Sequence, residues 1–152
     1  MERPTRREFL EAAAGIALIA ALRPRPLEAT PAAMQDAIRR VVGSATITPG
    51  RVKLELPPLS ENGNAVPLTV SLESPMTEAD HVRALHVFTE KNPQPDVASF
   101  RFGPRAGRAR VSTRIRLADT QTVIAVGELH DGSFWSASAT VVVTLAACLE
   151  EA

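Results

Sequence analysis

From Val52 to Val143 the apolar residues keep returning at every second position, and this alternation limits the chain to β structure. Val52, Leu54 and Leu56 alternate with Lys53 and Glu55 until Pro57-Pro58 stops the run. Glu61-Asn62-Gly63-Asn64 reads as a turn, because an Asn-Gly pair readily supplies positive φ. Val66, Leu68, Val70 and Leu72 then share one side, with Thr69, Ser71 and Glu73 on the other. Further strands are expected at 81–90, at 98–102 with Phe100 and Phe102, and at 111–117 with Val111, Thr113, Ile115 and Leu117 inward. Thr122 to Leu129 and Phe134 to Leu145 follow, joined by a hairpin at Asp131-Gly132. About seven strands, with turn signals between them and no helical period, imply an all-β, immunoglobulin-like β-sandwich. Ahead of them, Met34, Ala37, Ile38, Val41 and Val42 have helical spacing, so a short N-terminal helix over 34–42, ended by Gly43, is expected. Trp135 reads as a core or sheet-edge anchor.

The formal net charge of zero gives no general pull toward nucleic acid or anionic lipid. With five Phe, one Trp and no Tyr, the chain lacks the rings a stacking platform for bases needs. At 152 residues it supports one domain.

The first residues have a separate logic. Thr5-Arg6-Arg7-Glu8-Phe9-Leu10 has the form of a twin-arginine export motif, followed by an apolar run, Ala12 to Leu22, too short to span a bilayer. Small residues between Ala29 and Ala33 suit cleavage. The expected organisation is a signal peptide over 1–32, a β-sandwich over 33–145 and a cysteine-bearing tail over 146–152, with the mature protein periplasmic and free of membrane. An exported chain with a single cysteine, Cys148, forms no internal disulfide; the thiol is free or paired between molecules.

Cys148 stands four residues from the carboxyl end, in Ala146-Ala147-Cys148-Leu149-Glu150-Glu151-Ala152. A thiolate is a good nucleophile and its persulfide-type adducts are reversible, which suits a carrier. The plainer alternative is a small hydrophobe capping the last strand. Glu150 and Glu151 oppose thiolate formation by raising the thiol pKa. Leu145-Ala146-Ala147-Cys148 also spells a lipid-attachment box, but at the wrong end of the chain. Six arginines fall between 101 and 116; Arg108, Arg110, Arg114 and Arg116 share strand parity and line one outward face. That face either attracts anions and acidic partners or, more simply, is solvated and paired with nearby carboxylates. His81, His86 and His130 lack metal-ligand spacing and read as ordinary histidines. No catalytic acid–base pair, metal set or cofactor motif emerges.

Several blocks resemble one family: Glu61 to Leu68, Ser74-Pro75-Met76, His86 to Pro93, Val111 to Ala118, and Asp131 to Trp135. With the twin-arginine leader, they are similar to SoxY, the sulfur-carrier subunit of the periplasmic thiosulfate-oxidising system. The resemblance implies a β-sandwich paired with a SoxZ-like subunit. It implies a carrier and not an enzyme, without cofactor, bearing sulfur covalently on Cys148 and visited by a haem protein that attaches thiosulfate and a hydrolase that releases sulfate. The family arm ends Gly-Gly-Cys-Gly-Gly, and here all four flanking glycines are replaced. Three residues beyond Leu145 still extend roughly 10 Å. Two other readings stand beside the carrier: an interaction subunit that binds the partner without sulfur chemistry, and a thiol used for persulfide relay.

Overall fold

The computed structural model describes residues 30–147; the expected leader and Cys148 lie outside them. The first described element, α1 (Pro31–Val42), is set by local chemistry at both ends. Thr30 caps it, its hydroxyl accepting from the Ala33 amide at 3.2 Å, and Pro31 occupies the first turn. Gly43 ends it with φ 62, donating its N–H to Arg39 O at 2.8 Å. The helix therefore begins three residues earlier than the apolar spacing alone predicts and straddles the expected signal boundary at 32. Its inner face, Met34, Ala37, Ile38 and Val42, packs on Phe88, Val126 and Phe134.

Nine strands follow: β1 (Ile47–Pro49), β2 (Val52–Glu55), β3 (Leu59–Ser60), β4 (Val66–Leu72), β5 (Val82–Thr89), β6 (Asp96–Arg101), β7 (Ala109–Ile115), β8 (Gln121–Leu129) and β9 (Phe134–Val143). One sheet runs β1-β9-β8-β5-β6, with β3 also paired to β9; the second runs β2-β4-β7. The two face each other across one core that includes Leu68, Val70 and Leu72 from β4, Leu85 and Val87 from β5, and Val123 and Ala125 from β8. Burying each such leucine or valine side chain contributes about 1.5–3 kcal/mol. A Cβ on Gly127 of β8 would meet Leu72 Cδ2 at 2.6 Å, so this glycine lets the sheets approach closely. Because α1 covers the other face of the larger sheet, β5 is buried almost throughout, continuously from Ala84 to Thr89 instead of at alternate residues.

The seven expected strands are all present, and the sandwich is the observed fold. Two more strands, β1 and β3, run parallel to β9, and at three and two residues they are too short to show a period. The last strand ends at Val143, not Leu145: its ladder with β8 stops at Val141 and its pairing with β3 at Val143. Thr113, expected inward, is exposed: β7 is the outer strand of the small sheet, where one side chain is left uncovered.

A buried polar network ties the turn after β5 to the segment after β7. Asn92 donates from Nδ2 to Arg116 O at 2.8 Å, and its Oδ1 accepts from the Ala118 amide at 3.0 Å and from Gln121 Nε2 at 2.9 Å. Gln121 Oε1 in turn accepts from the Lys91 amide at 2.7 Å. Leu117, between the two backbone groups that Asn92 holds, is fully buried. Asn92→Ala leaves those groups unsatisfied, and a urea titration is expected to show a loss of roughly 1–3 kcal/mol.

His86 sits beneath the helix-covered face, its Nδ1 2.8 Å from Ser99 Oγ and its ring stacked on Phe88. Burial holds its pKa below the usual 6.5; Glu128 opposes this and Arg101 adds to it. The unfolded chain takes up the proton first, so stability is complete above about pH 6.5 and falls as pH drops from there toward the depressed folded value. Urea midpoints measured from pH 8 to pH 5.5 are expected to decline less steeply in His86→Gln than in the unaltered chain.

Candidate functional site

The last described residues are gripped by backbone hydrogen bonds from two distant segments. Past β8, the end of β9 runs beside β3: Val142 N–H donates to Pro58 O at 2.9 Å and Thr144 N–H to Ser60 O at 3.1 Å. The Thr120 hydroxyl accepts from the Val143 amide at 3.0 Å. Beyond this the chain enters a clamp. Gly63 N–H donates to Leu145 O at 2.8 Å, Leu117 N–H to Gly63 O at 2.8 Å, and Ala147 N–H to Leu117 O at 3.1 Å. Ala147 is buried, so the clamp reaches the residue immediately before Cys148.

Local chemistry explains the clamp's shape. Asn62 caps a single 3-10 turn over Gly63–Ala65, its Oδ1 accepting from the Asn64 amide at 2.9 Å. Gly63 does not take the positive φ expected of the Asn-Gly pair. Its function is space: a Cβ there would lie 2.5 Å from Leu117 O, 2.7 Å from Ala147 N and 3.1 Å from Leu145 O. All three are backbone atoms, which cannot swing aside as a side chain can. Leu117 is steadied from behind by Asn92, through Arg116 O and Ala118 N. Three of the blocks singled out in the sequence, around Gly63, Asn92 and Leu117, thus meet at the root of the tail.

Around that root the surface is apolar. The large hydrophobic side chains exposed among the described residues are Leu59, Val142 and Leu145, at 53%, 47% and 64%. Leu59 and Val142 are register partners, and Leu145 is the residue whose carbonyl Gly63 holds. Arg116, beside Leu117 in the chain, is exposed and has no ion-pair partner among the described residues.

The other candidate residues fall elsewhere. Arg110 and Arg114 lie on the outward face of β7, opposite Ser71 and Pro67 of β4, with Arg108 and Arg116 flanking them. Arg110 pairs with Glu55 at 3.4 Å, while Lys53 pairs with Glu73 on the same sheet. His81 and His130, far apart in sequence, come together with ring centroids 5.3 Å apart, because Val82 and Leu129 are register partners. Among the described residues no group of His, Cys, Asp or Glu could hold a metal ion, and no helix is long and apolar enough to cross a membrane. Trp135 is half-buried against the main core, with the Arg51 guanidinium 5.1 Å above its ring. Sequence reasoning singled out Cys148, which lies outside the described residues, and missed the clamp. Its one visible signal was the glycine at 63, read as a turn former.

The family profile described as sulfur oxidation protein SoxY matches residues 38–148, so the match ends on Cys148. The solved structure of the sulfur carrier protein SoxY from Chlorobium limicola f thiosulfatophilum is 32% identical, with a TM-score of 0.63 over 75% of this chain and 98% of that one. A superoxide reductase from Ignicoccus hospitalis is 17% identical, with a TM-score of 0.56 over 62% of this chain and 80% of its own. The superoxide reductase from Nanoarchaeum equitans is 14% identical, with a TM-score of 0.52 over 62% and 99%. At those identities the reductases share the fold alone. Among curated protein sequences nothing matches. The profile covers well over half the chain, and the Chlorobium protein aligns over almost its full length: the chain belongs to the SoxY family.

Proposed function

We propose that this protein is a periplasmic sulfur carrier of thiosulfate oxidation that bears its cargo covalently on Cys148. The single observation behind this reading is the placement of the family match, which runs to Cys148 itself, one residue past a clamp that holds Ala147. A rigid sandwich that releases its chain at a defined point suits presentation of a terminal thiol to other proteins. Leu59, Val142 and Leu145 offer those enzymes an apolar landing surface at the root. The body supplies fold and placement; the bond-making belongs to the visiting enzymes.

Loading joins the Cys148 sulfur to the sulfane sulfur of thiosulfate. The thiol gives up its proton, and two electrons leave to the haem protein that attaches the cargo. Hydrolysis then adds water across the bond between sulfane sulfur and sulfonate, releasing sulfate and a proton and leaving a persulfide on the cysteine. The carrier needs a nucleophilic thiolate for the first step. A SoxZ-like subunit completes the carrier in this reading, and export follows the twin-arginine route. Within the expected cleavage window of 29–33, a cut ahead of Thr30 leaves α1 its cap, with Thr30 O accepting from Met34 N–H at 3.2 Å.

A second reading draws on one specific observation: the four glycines that flank the family's cysteine are absent here. Leu149 and two glutamates thicken and charge the tail, as suits an interaction subunit that keeps the partner and has lost the chemistry. Intact-mass measurement separates the two. After exposure of the purified complex to thiosulfate and the loading enzyme, the carrier gains mass on the peptide holding Cys148, and Cys148→Ser abolishes the gain. Unchanged mass with the partner still bound establishes the interaction subunit instead.

A further inference from the structure

Gly63 and Leu117 do more than complete the fold around Ala147; the geometry points to a latch that sets the length of the tail. Two hydrogen bonds hold it shut, Gly63 N–H to Leu145 O at 2.8 Å and Ala147 N–H to Leu117 O at 3.1 Å. Neither belongs to a sheet ladder, since β9 has ended at Val143 and β7 at Ile115. Latched, the chain is held as far as Ala147, and the Cys148 Cα is tied to within about 3.8 Å of the Ala147 Cα by the peptide bond. Unlatched, residues 145–147 join the tail and lengthen it by roughly 10 Å, at about 3.3–3.6 Å per residue. We propose that the protein switches between these two tail lengths, and that Gly63 is the positioning residue that keeps the short one.

The observations favour a latch that opens over a fixed anchor. Ala147 is buried, but Ala146 is exposed and Leu145 is 64% exposed, so the gripped segment has little apolar surface holding it down. The receiving side, by contrast, is rigid: Gly63 O is bonded to Leu117 N–H, and Asn92 braces both neighbours of Leu117. A stiff cradle around a weakly buried strand end lets go of the strand end first. The absent glycines fit the same picture, because the freedom they give the family's arm near its cysteine is here obtained by releasing chain from the body. This inference rests on the carrier reading for its purpose, yet its physical content is independent of whether Cys148 takes up sulfur.

The test uses the full mature chain with its partner subunit, and a nitroxide spin label on Cys148, the single cysteine of the sequence. In the unaltered protein the Ala147 amide is expected to exchange its hydrogen on the order of tenfold more slowly than an unstructured peptide, as two modest hydrogen bonds allow. The label should show an immobilised component. Gly63→Ala forces a Cβ against three backbone atoms and is expected to abolish that protection and convert the label to the mobile form, with exchange at Leu85 and Val126 unchanged. Should Gly63→Ala fail to fold, Ala147→Pro decides. It removes the donor to Leu117 O and puts the proline ring against that oxygen, and should mobilise the label and speed exchange of the Gly63 amide. Random-coil exchange at Ala147 in the unaltered protein, or an unmoved label in a folded variant, overturns the latch. Sulfur uptake, read separately by intact mass, bears on the carrier reading alone.

Discussion

The larger sheet is covered on both faces, and the remaining architecture depends on that. Strands β5 and β8 lie at its centre, with Leu85, Val87, Val123 and Ala125 turned toward the smaller sheet and Phe88 and Val126 toward α1. An antiparallel sheet with one wet face would show alternation along β5; this one buries nearly every residue from Val82 to Thr89. The cost is a polar side chain, His86, carried beneath the helix, where burial lowers its pKa. The gain is a rigid body whose far end can hold a precise backbone arrangement.

That arrangement is built almost wholly from main-chain groups. Gly63, Leu117, Leu145 and Ala147 come from three stretches of the chain and are joined by three hydrogen bonds, at a distance of closest approach that no Cβ tolerates. Side chains enter only as braces: Asn92 behind Leu117, Asn62 under the 3-10 turn, Thr120 on the final strand. Sequence variation in the tail itself is compatible with such a site, since backbone contacts do not ask for particular side chains. In a family whose arm ends in glycines, that lets a chain with Ala146-Ala147 keep the grip on its last strand.

Legibility differed sharply between the parts. Long alternating runs such as Val66 to Leu72 announced their strands, because half-buried β structure repeats every two residues. The short parallel strands β1 and β3 left no trace, since two or three residues carry no period and their pairing with β9 is a long-range event. Cys148 was visible as the single thiol of the sequence. The arginines of β7 shared a face as their parity required, and for Arg110 the carboxylate of Glu55 was the neighbour. The approach of His81 to His130 was hidden, because it depends on the register of β5 against β8.

By itself the sequence determined the sandwich, the helix ahead of it and the position of the lone cysteine, all of which follow from local period, capping and composition. Which backbone groups would meet at the end of β9 was decided only in three dimensions. Gly63 shows why: as a member of an Asn-Gly pair it promised a turn with positive φ, and its actual demand is the absence of a side chain where Leu117 and Ala147 pass. A steric requirement of that kind belongs to no single stretch of chain, and arises only when distant segments are packed against one another.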